Sequence, residues 1–186
     1  VVLSGRTDYY LWHQPARAVT PRFKQVMIAR ANPIEQAENL VNFPMQIHHG
    51  QADLAVNIRH TRSMQTVMEG LRLTFDVREY PDASHWLGVD VMGKEDPVKF
   101  LKQYRRDGAM DSSATIKTWS SQFGQRNHFS ILLTEDPTQP AEFAGGWKNE
   151  TLEITKFSNI AALEVRDIPQ PRREGFQLKL PAGLEL

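Results

Sequence analysis

Residues 44–88 read PMQIHHGQADLAVNIRHTRSMQTVMEGLRLTFDVREYPDASHWLG, and three segments within and beside this stretch set the fold class. Phe43 to His49 is a short, largely apolar run ended by Gly50, the pattern of a strand buried on both faces. From Asn57 to Leu71, apolar residues at Ile58, Met64, Val67, Met68 and Leu71 recur at helical spacing, with polar residues between them. Leu73 to Tyr80 then alternates with period two until Pro81-Asp82 stops it. Strand, helix, strand with short connections builds a parallel sheet, because parallel neighbours need a crossover and a helix is the usual one. Asp53 falls in the loop after the first strand and His85 in the loop after the second. Both loops open at the carboxyl ends of their strands, where open α/β sheets place their chemistry.

Working outward, Val1-Val2-Leu3 before Ser4-Gly5 reads as the end of another buried strand. The next thirty positions are irregular in pattern, with Pro15 and Pro21 against any long helix. Asn32-Pro33 reads as an N-cap followed by proline at the first helical position, opening a short helix over Ile34 to Val41, and Pro97 to Arg106 supplies one more. After Arg106 the character changes. A linker-like DGAMDSS precedes five short strand-like runs: Thr115–Trp119, Phe129–Thr134, Leu152–Thr155, Ala162–Val165 and Phe176–Leu180. The reading is α/β for residues 1–107, and a smaller all-β, sandwich-like domain for residues 108–186.

Composition narrows the function classes. With 186 residues and 40% hydrophobic content the chain is long enough to bury a core. Twenty-two basic residues balance twenty-two acidic ones, so no net field draws it to nucleic acid or to anionic lipid. There is no cysteine, which removes disulfides, thiolate metal sites and a cysteine nucleophile. No apolar run approaches the roughly 20 residues of a membrane span. The cellular compartment stays open, since no leader segment is recognisable.

Asp53 and His85 are the candidate catalytic residues. A carboxylate that accepts from one imidazole nitrogen holds the tautomer that leaves the other nitrogen as a base, and it stabilises the imidazolium when that forms. Taken singly, an aspartate after a strand is commonly a cap or turn residue, and a loop histidine is commonly solvated. The two together in adjacent loops point to proton transfer. His48, His49 and His60 raise the question of zinc, but none forms the His-x-x-x-His spacing of a helical metal site, and His48 and His49 belong on opposite faces of their strand. No metal or other cofactor is expected. Trp119 and Trp147 are weighed as a sugar platform and read as core.

Residues 44–88 resemble the C-terminal part of the catalytic domain in the prolyl oligopeptidase family of α/β-hydrolase serine peptidases. Pro44, His49-Gly50, Asp53, Val56, Tyr80-Pro81 and His85 carry the likeness, and Asn57 stands where that family commonly has proline. VVLSGRTDY (1–9) and ANPIEQAENLVNFP (31–44) extend it, so that it covers about residues 1–106. The resemblance implies an α/β-hydrolase sheet, a Ser-Asp-His triad with Asp53 and His85 as acid and base, and a peptide or other acyl substrate. It also implies that His49 supports the acid loop and that His48 packs at the strand end. The nucleophile elbow, G-x-S-x-G, is absent from these residues. Ser4 and Ser84 lack that context and read as structural. The family's chain order places the nucleophile before both partners, so it is expected on the upstream half of the same polypeptide. Peptidase and esterase both remain open. So does a non-catalytic reading, in which a degenerate hydrolase half and a glycan- or protein-binding β domain form an interaction module.

Overall fold

The computed structural model describes residues 1–13, 16–94, 96–104, 112–166 and 177–181. At residues 89, 90 and 92 it describes the backbone. The chain divides into two compact units, Val1–Asp107 and Gly108–Leu186.

In the first unit, β1 (Val2–Leu3), β2 (Met45–Gly50) and β3 (Phe75–Tyr80) form a three-stranded sheet in the order β1-β2-β3, every pairing parallel. Around it lie α1 (Tyr9–His13), α2 (Arg22–Ala31), α3 (Arg59–Gly70), α4 (Gly88–Gly93) and α5 (Asp96–Lys102). Side chains alternate across a strand, so each of β2 and β3 has two different faces. Met45 and Ile47 with Phe75 and Val77 pack on Met64 and Met68 of α3 and on Ala37, which makes the apolar core of this unit. Gln46 and His48 with Asp76, Arg78 and Tyr80 occupy the opposite face and are linked by hydrogen bonds. β2 is buried on both faces for two different reasons.

Among its described residues, the segment whose pattern is irregular contains α1, a 3₁₀ turn over Arg17–Val19 and α2. α2 starts immediately after Pro21, whose carbonyl accepts from Lys24 and Gln25 N–H, so the proline bounds a helix and does not interrupt one, in line with its expected exclusion from a long helix. Phe23 and Met27 of α2 are exposed, which scatters its apolar periodicity and hides it from a pattern search. The helix expected over Ile34 to Val41 is a 3₁₀ run, Pro33–Leu40. Asn32 sits at its N-cap position, but its side chain serves elsewhere: Oδ1 accepts from Tyr9 N–H at 2.9 Å and Nδ2 donates to Asp8 at 3.2 Å. Asn57 precedes α3, and its Oδ1 accepts from Arg59 N–H at 3.0 Å. The end of the helix expected over Pro97 to Arg106 and most of the DGAMDSS run lie outside the described residues.

The second unit is built from β4 (Ser113–Thr118), β5 (Gln125–Arg126), β6 (Phe129–Leu133), β7 (Ala141–Lys148), β8 (Thr151–Ser158), β9 (Ala162–Val165) and β10 (Gln177–Lys179). Two sheets, β10-β8-β7-β4 and β5-β6-β9, contribute to one core in which Phe129 and Phe143 lie 4.8 Å apart between ring centroids. Pairing is antiparallel except between β10 and β8. Phe176, the expected start of the last strand, lies outside the described residues.

β7 has no counterpart in the sequence reading, and it carries Gly145-Gly146, a dipeptide type common in turns. In the structure the two glycines sit inside the strand. A Cβ at Gly146 would stand 2.6 Å from Ser113 Cβ, and one at Gly145 would stand 2.9 Å from the Glu153 carbonyl oxygen. Close approach of neighbouring strands, not chain reversal, explains them. Trp119 and Trp147 are both buried, so they form no sugar platform.

Candidate active site

Two loops meet over the carboxyl ends of β2 and β3. Ala52 N–H donates to the Ala83 carbonyl at 3.1 Å and Gln51 N–H to the Tyr80 carbonyl at 2.8 Å. Gly50 makes this approach possible: a Cβ there would lie 2.6 Å from the Ala83 carbonyl carbon and 2.7 Å from the Ser84 carbonyl oxygen, distances that backbone atoms do not tolerate. The strand-ending glycine is thus a spacer between the loop of Asp53 and the loop of His85.

The structure brings Asp53 and His85 together. His85 Nδ1 lies 2.9 Å from Asp53 Oδ2, within hydrogen-bond range. The Asp53 side chain is wholly buried, while 34% of the His85 side chain remains exposed. Oδ1 of the same carboxylate accepts from Ala55 N–H at 2.9 Å and Val56 N–H at 2.8 Å, so the aspartate closes its own loop with one oxygen and addresses the histidine with the other. Burial pushes the Asp53 carboxyl up. Hydrogen bonds from Val56 N–H, His85 and Ala55 N–H more than offset it, and the acid ends below the ordinary carboxylate value. Ser4 lies near the carboxylate as well, yet its buried hydroxyl falls short of hydrogen-bond geometry with any described residue.

An ionised carboxylate can only accept, so His85 Nδ1 carries the shared proton, and in the neutral ring Nε2 holds the lone pair. Among the described residues Nε2 meets no hydrogen-bond partner. The pair is thereby a base with a fixed tautomer and an open face.

His49 holds the acid loop from below. Nε2 lies 2.7 Å from the Val56 carbonyl, which can only accept, so Nε2 carries the proton and Nδ1 accepts from the Thr61 hydroxyl at 2.6 Å. The same Nε2 is 3.4 Å from Asp53 Oδ2. Thr61 escaped the sequence reading, although a signal existed: with Met64 and Met68 it lies on the buried stripe of α3, where a lone hydroxyl needs a polar partner.

His48 does more than pack at the strand end. Its Nδ1 is 2.8 Å from the Tyr80 hydroxyl and its Nε2 is 2.9 Å from Gln46 Oε1. Gln46 Nε2 donates to Asp76, which also receives Arg78 Nε, and Arg78 continues to Asp96 at 2.7 Å. Burial, and then the Arg78 charge, lower the His48 pKa. Asp76, Arg78 and Asp96 also line a pocket of about 380 Å³ with Lys99, Phe100 and Tyr104. No group of three His, Asp or Glu side chains among the described residues is placed to hold a metal ion. None of the described helices is long and apolar enough to cross a membrane.

Set against protein-family models, curated proteins and solved structures, the chain finds no match in any of the three. What the pair can do is read from its own geometry.

Proposed function

We propose that Asp53 and His85 are the acid and base of a serine hydrolase acting on peptides or other acyl compounds. The likeness of residues 44–88 to the prolyl oligopeptidase family supports a peptidase over an esterase. The nucleophilic serine is assigned to a part of the same polypeptide outside these 186 residues, since no G-x-S-x-G occurs among them.

One observation carries the reading: a wholly buried carboxylate, 2.9 Å from an imidazole nitrogen, leaves the opposite nitrogen unpaired at the carboxyl edge of a parallel sheet. In acyl transfer Nε2 of His85 would take the proton of the serine hydroxyl as it attacks, and would return it to the leaving group. Asp53 stays ionised throughout and stabilises the imidazolium.

Fluorophosphonate labelling of the full-length polypeptide, with turnover of an activated ester, tests this. Wild type should label stoichiometrically at one serine outside residues 1–186. His85→Ala should lower kcat by about a millionfold, as loss of a triad base does elsewhere. Absence of labelling in the folded full-length protein would sink the hydrolase reading and favour the interaction module. Turnover undiminished by His85→Ala would reassign the base.

A further inference from the structure

Trp86 follows the base directly, and its position is out of keeping with its chemistry. Tryptophan carries a large apolar surface, yet this indole is 85% exposed. It meets the His85 imidazole edge to face, with 5.6 Å between ring centroids and 79° between planes. On the loop of the acid, Leu54 directly follows Asp53 and is fully exposed. The backbone bond between Ala52 and Ala83 ties these two loops together. Neither side chain belongs to the core of its unit. Single exposed apolar residues are ordinary on any surface. Two of them immediately after Asp53 and His85, one in ring contact with the imidazole, place apolar surface at the edge of the site.

Resting on the hydrolase reading above, we infer that Trp86 is a specificity residue for the leaving-group side of the substrate, favouring an aromatic or apolar residue just beyond the scissile bond. The reaction fixes which side it serves. The serine oxygen bonds to the carbonyl carbon, the carbonyl electron pair moves to oxygen, and the hydroxyl proton passes to His85 Nε2. Collapse restores the carbonyl and breaks the C–N bond. The bonding pair leaves with nitrogen, which takes the proton from Nε2. For that transfer the departing nitrogen must come within about 3 Å of Nε2. The first residue of the leaving amine is therefore held next to the His85 ring, and among the described residues the indole offers apolar surface in ring contact with it. An apolar side chain there covers indole that water otherwise wets, whereas glycine covers none. Leu54 adds apolar surface on the adjoining loop.

The test uses the full-length polypeptide and pairs of fluorogenic peptides identical through the acyl residue and differing only in the first leaving-group residue, phenylalanine or glycine. Wild type should favour the phenylalanine peptide in kcat/KM by roughly tenfold, the scale of a modest apolar contact. Trp86→Ala should bring the ratio near one, and Trp86→Phe should keep most of the preference. Partitioning of the acyl-enzyme between phenylalaninamide and glycinamide should show the same ratio, because the acceptor occupies the leaving-group site. An unchanged ratio in Trp86→Ala, or equal loss on both peptides, overturns the inference and leaves the hydrolase reading standing. No turnover of any peptide or ester by wild type overturns both.

Discussion

Gly50 decides whether Asp53 and His85 can meet. It is the last residue of β2, paired with Tyr80 of β3, and its missing Cβ is the space taken by the backbone of Ala83 and Ser84. His85 follows on that same loop, so its 2.9 Å bond to Asp53 depends on a contact that no larger residue permits. Gly50→Ala should force the Ala83–Ser84 backbone away, with an overpacking cost of about 1–3 kcal/mol. The hydrogen bond from His85 Nδ1 to Asp53 should be lost with it. Imidazole ¹⁵N spectra, in which the Nδ1–H shared with a carboxylate is distinctive, would read the change directly. A Gly50→Ala protein with wild-type spectra and stability would show that the loops are not in contact as described.

The two faces of β2 solve different problems, and the polar one has a pH dependence. Gln46 offers its Oε1 to His48, because its Nε2 is committed to Asp76. His48 Nε2 therefore donates, and Nδ1 accepts from the Tyr80 hydroxyl, which requires a neutral ring. His60 of α3 is bound in the same sense, its Nδ1 accepting from the backbone N–H of Asp8 at 3.3 Å and of Thr7 at 3.4 Å. Burial lowers the pKa of both rings, with Arg78 adding to the effect at His48, while Asp8 opposes it at His60. With folded values below the ordinary 6.5, the unfolded chain binds more protons in the interval between the two. The contribution of both rings is complete above about pH 6.5 and is lost as pH falls through the folded values. Hydrogen-exchange protection of β2 and α3 amides should decline from pH 7 to pH 5 after correction for intrinsic exchange. His48→Gln should flatten part of that slope. A flat profile in wild type would mean that the rings accommodate the proton.

Each unit has its own core, and the tryptophans distinguish them. Trp119 and Trp147 are buried in the second unit, whereas Trp86 and, in part, Trp12 of the first are exposed. The shift of tryptophan emission on unfolding therefore reports chiefly on residues 108–186. Phe143 is fully buried in that core and packs against Phe129 across the two sheets, with the ring planes tilted by 37°. Phe143→Ala should lower the stability read by tryptophan emission in urea by about 3–5 kcal/mol, the usual cost of deleting a buried ring. A loss below about 1 kcal/mol would mean that the cavity collapses freely, and the ring contact would not then anchor the two sheets.

Where local chemistry decides, sequence was sufficient. The apolar run of β2, the 3–4 spacing of α3 and the period-two alternation of β3 each follow from side-chain geometry along one element, and the loops that bear Asp53 and His85 follow from parallel connection of those elements. The run over Ala162–Val165 is legible for the same reason. Where a residue answers to a neighbour distant in sequence, pattern was misleading or silent. Gly145 and Gly146 look like a turn and lie inside β7, because Glu153 and Ser113 press against them. α2 hides because Phe23 and Met27 face outward. Gln46, His48, Asp76 and Arg78 appear in sequence as polar residues of two strands. Only their parallel register, Gln46 beside Asp76 and His48 beside Arg78, turns them into a connected network. The tautomers of His48 and His49, the burial of Asp53 and the exposure of Trp86 belong to the tertiary structure for one physical reason: hydrogen-bond partners and solvent access are set by which segments meet, and no single segment carries that information.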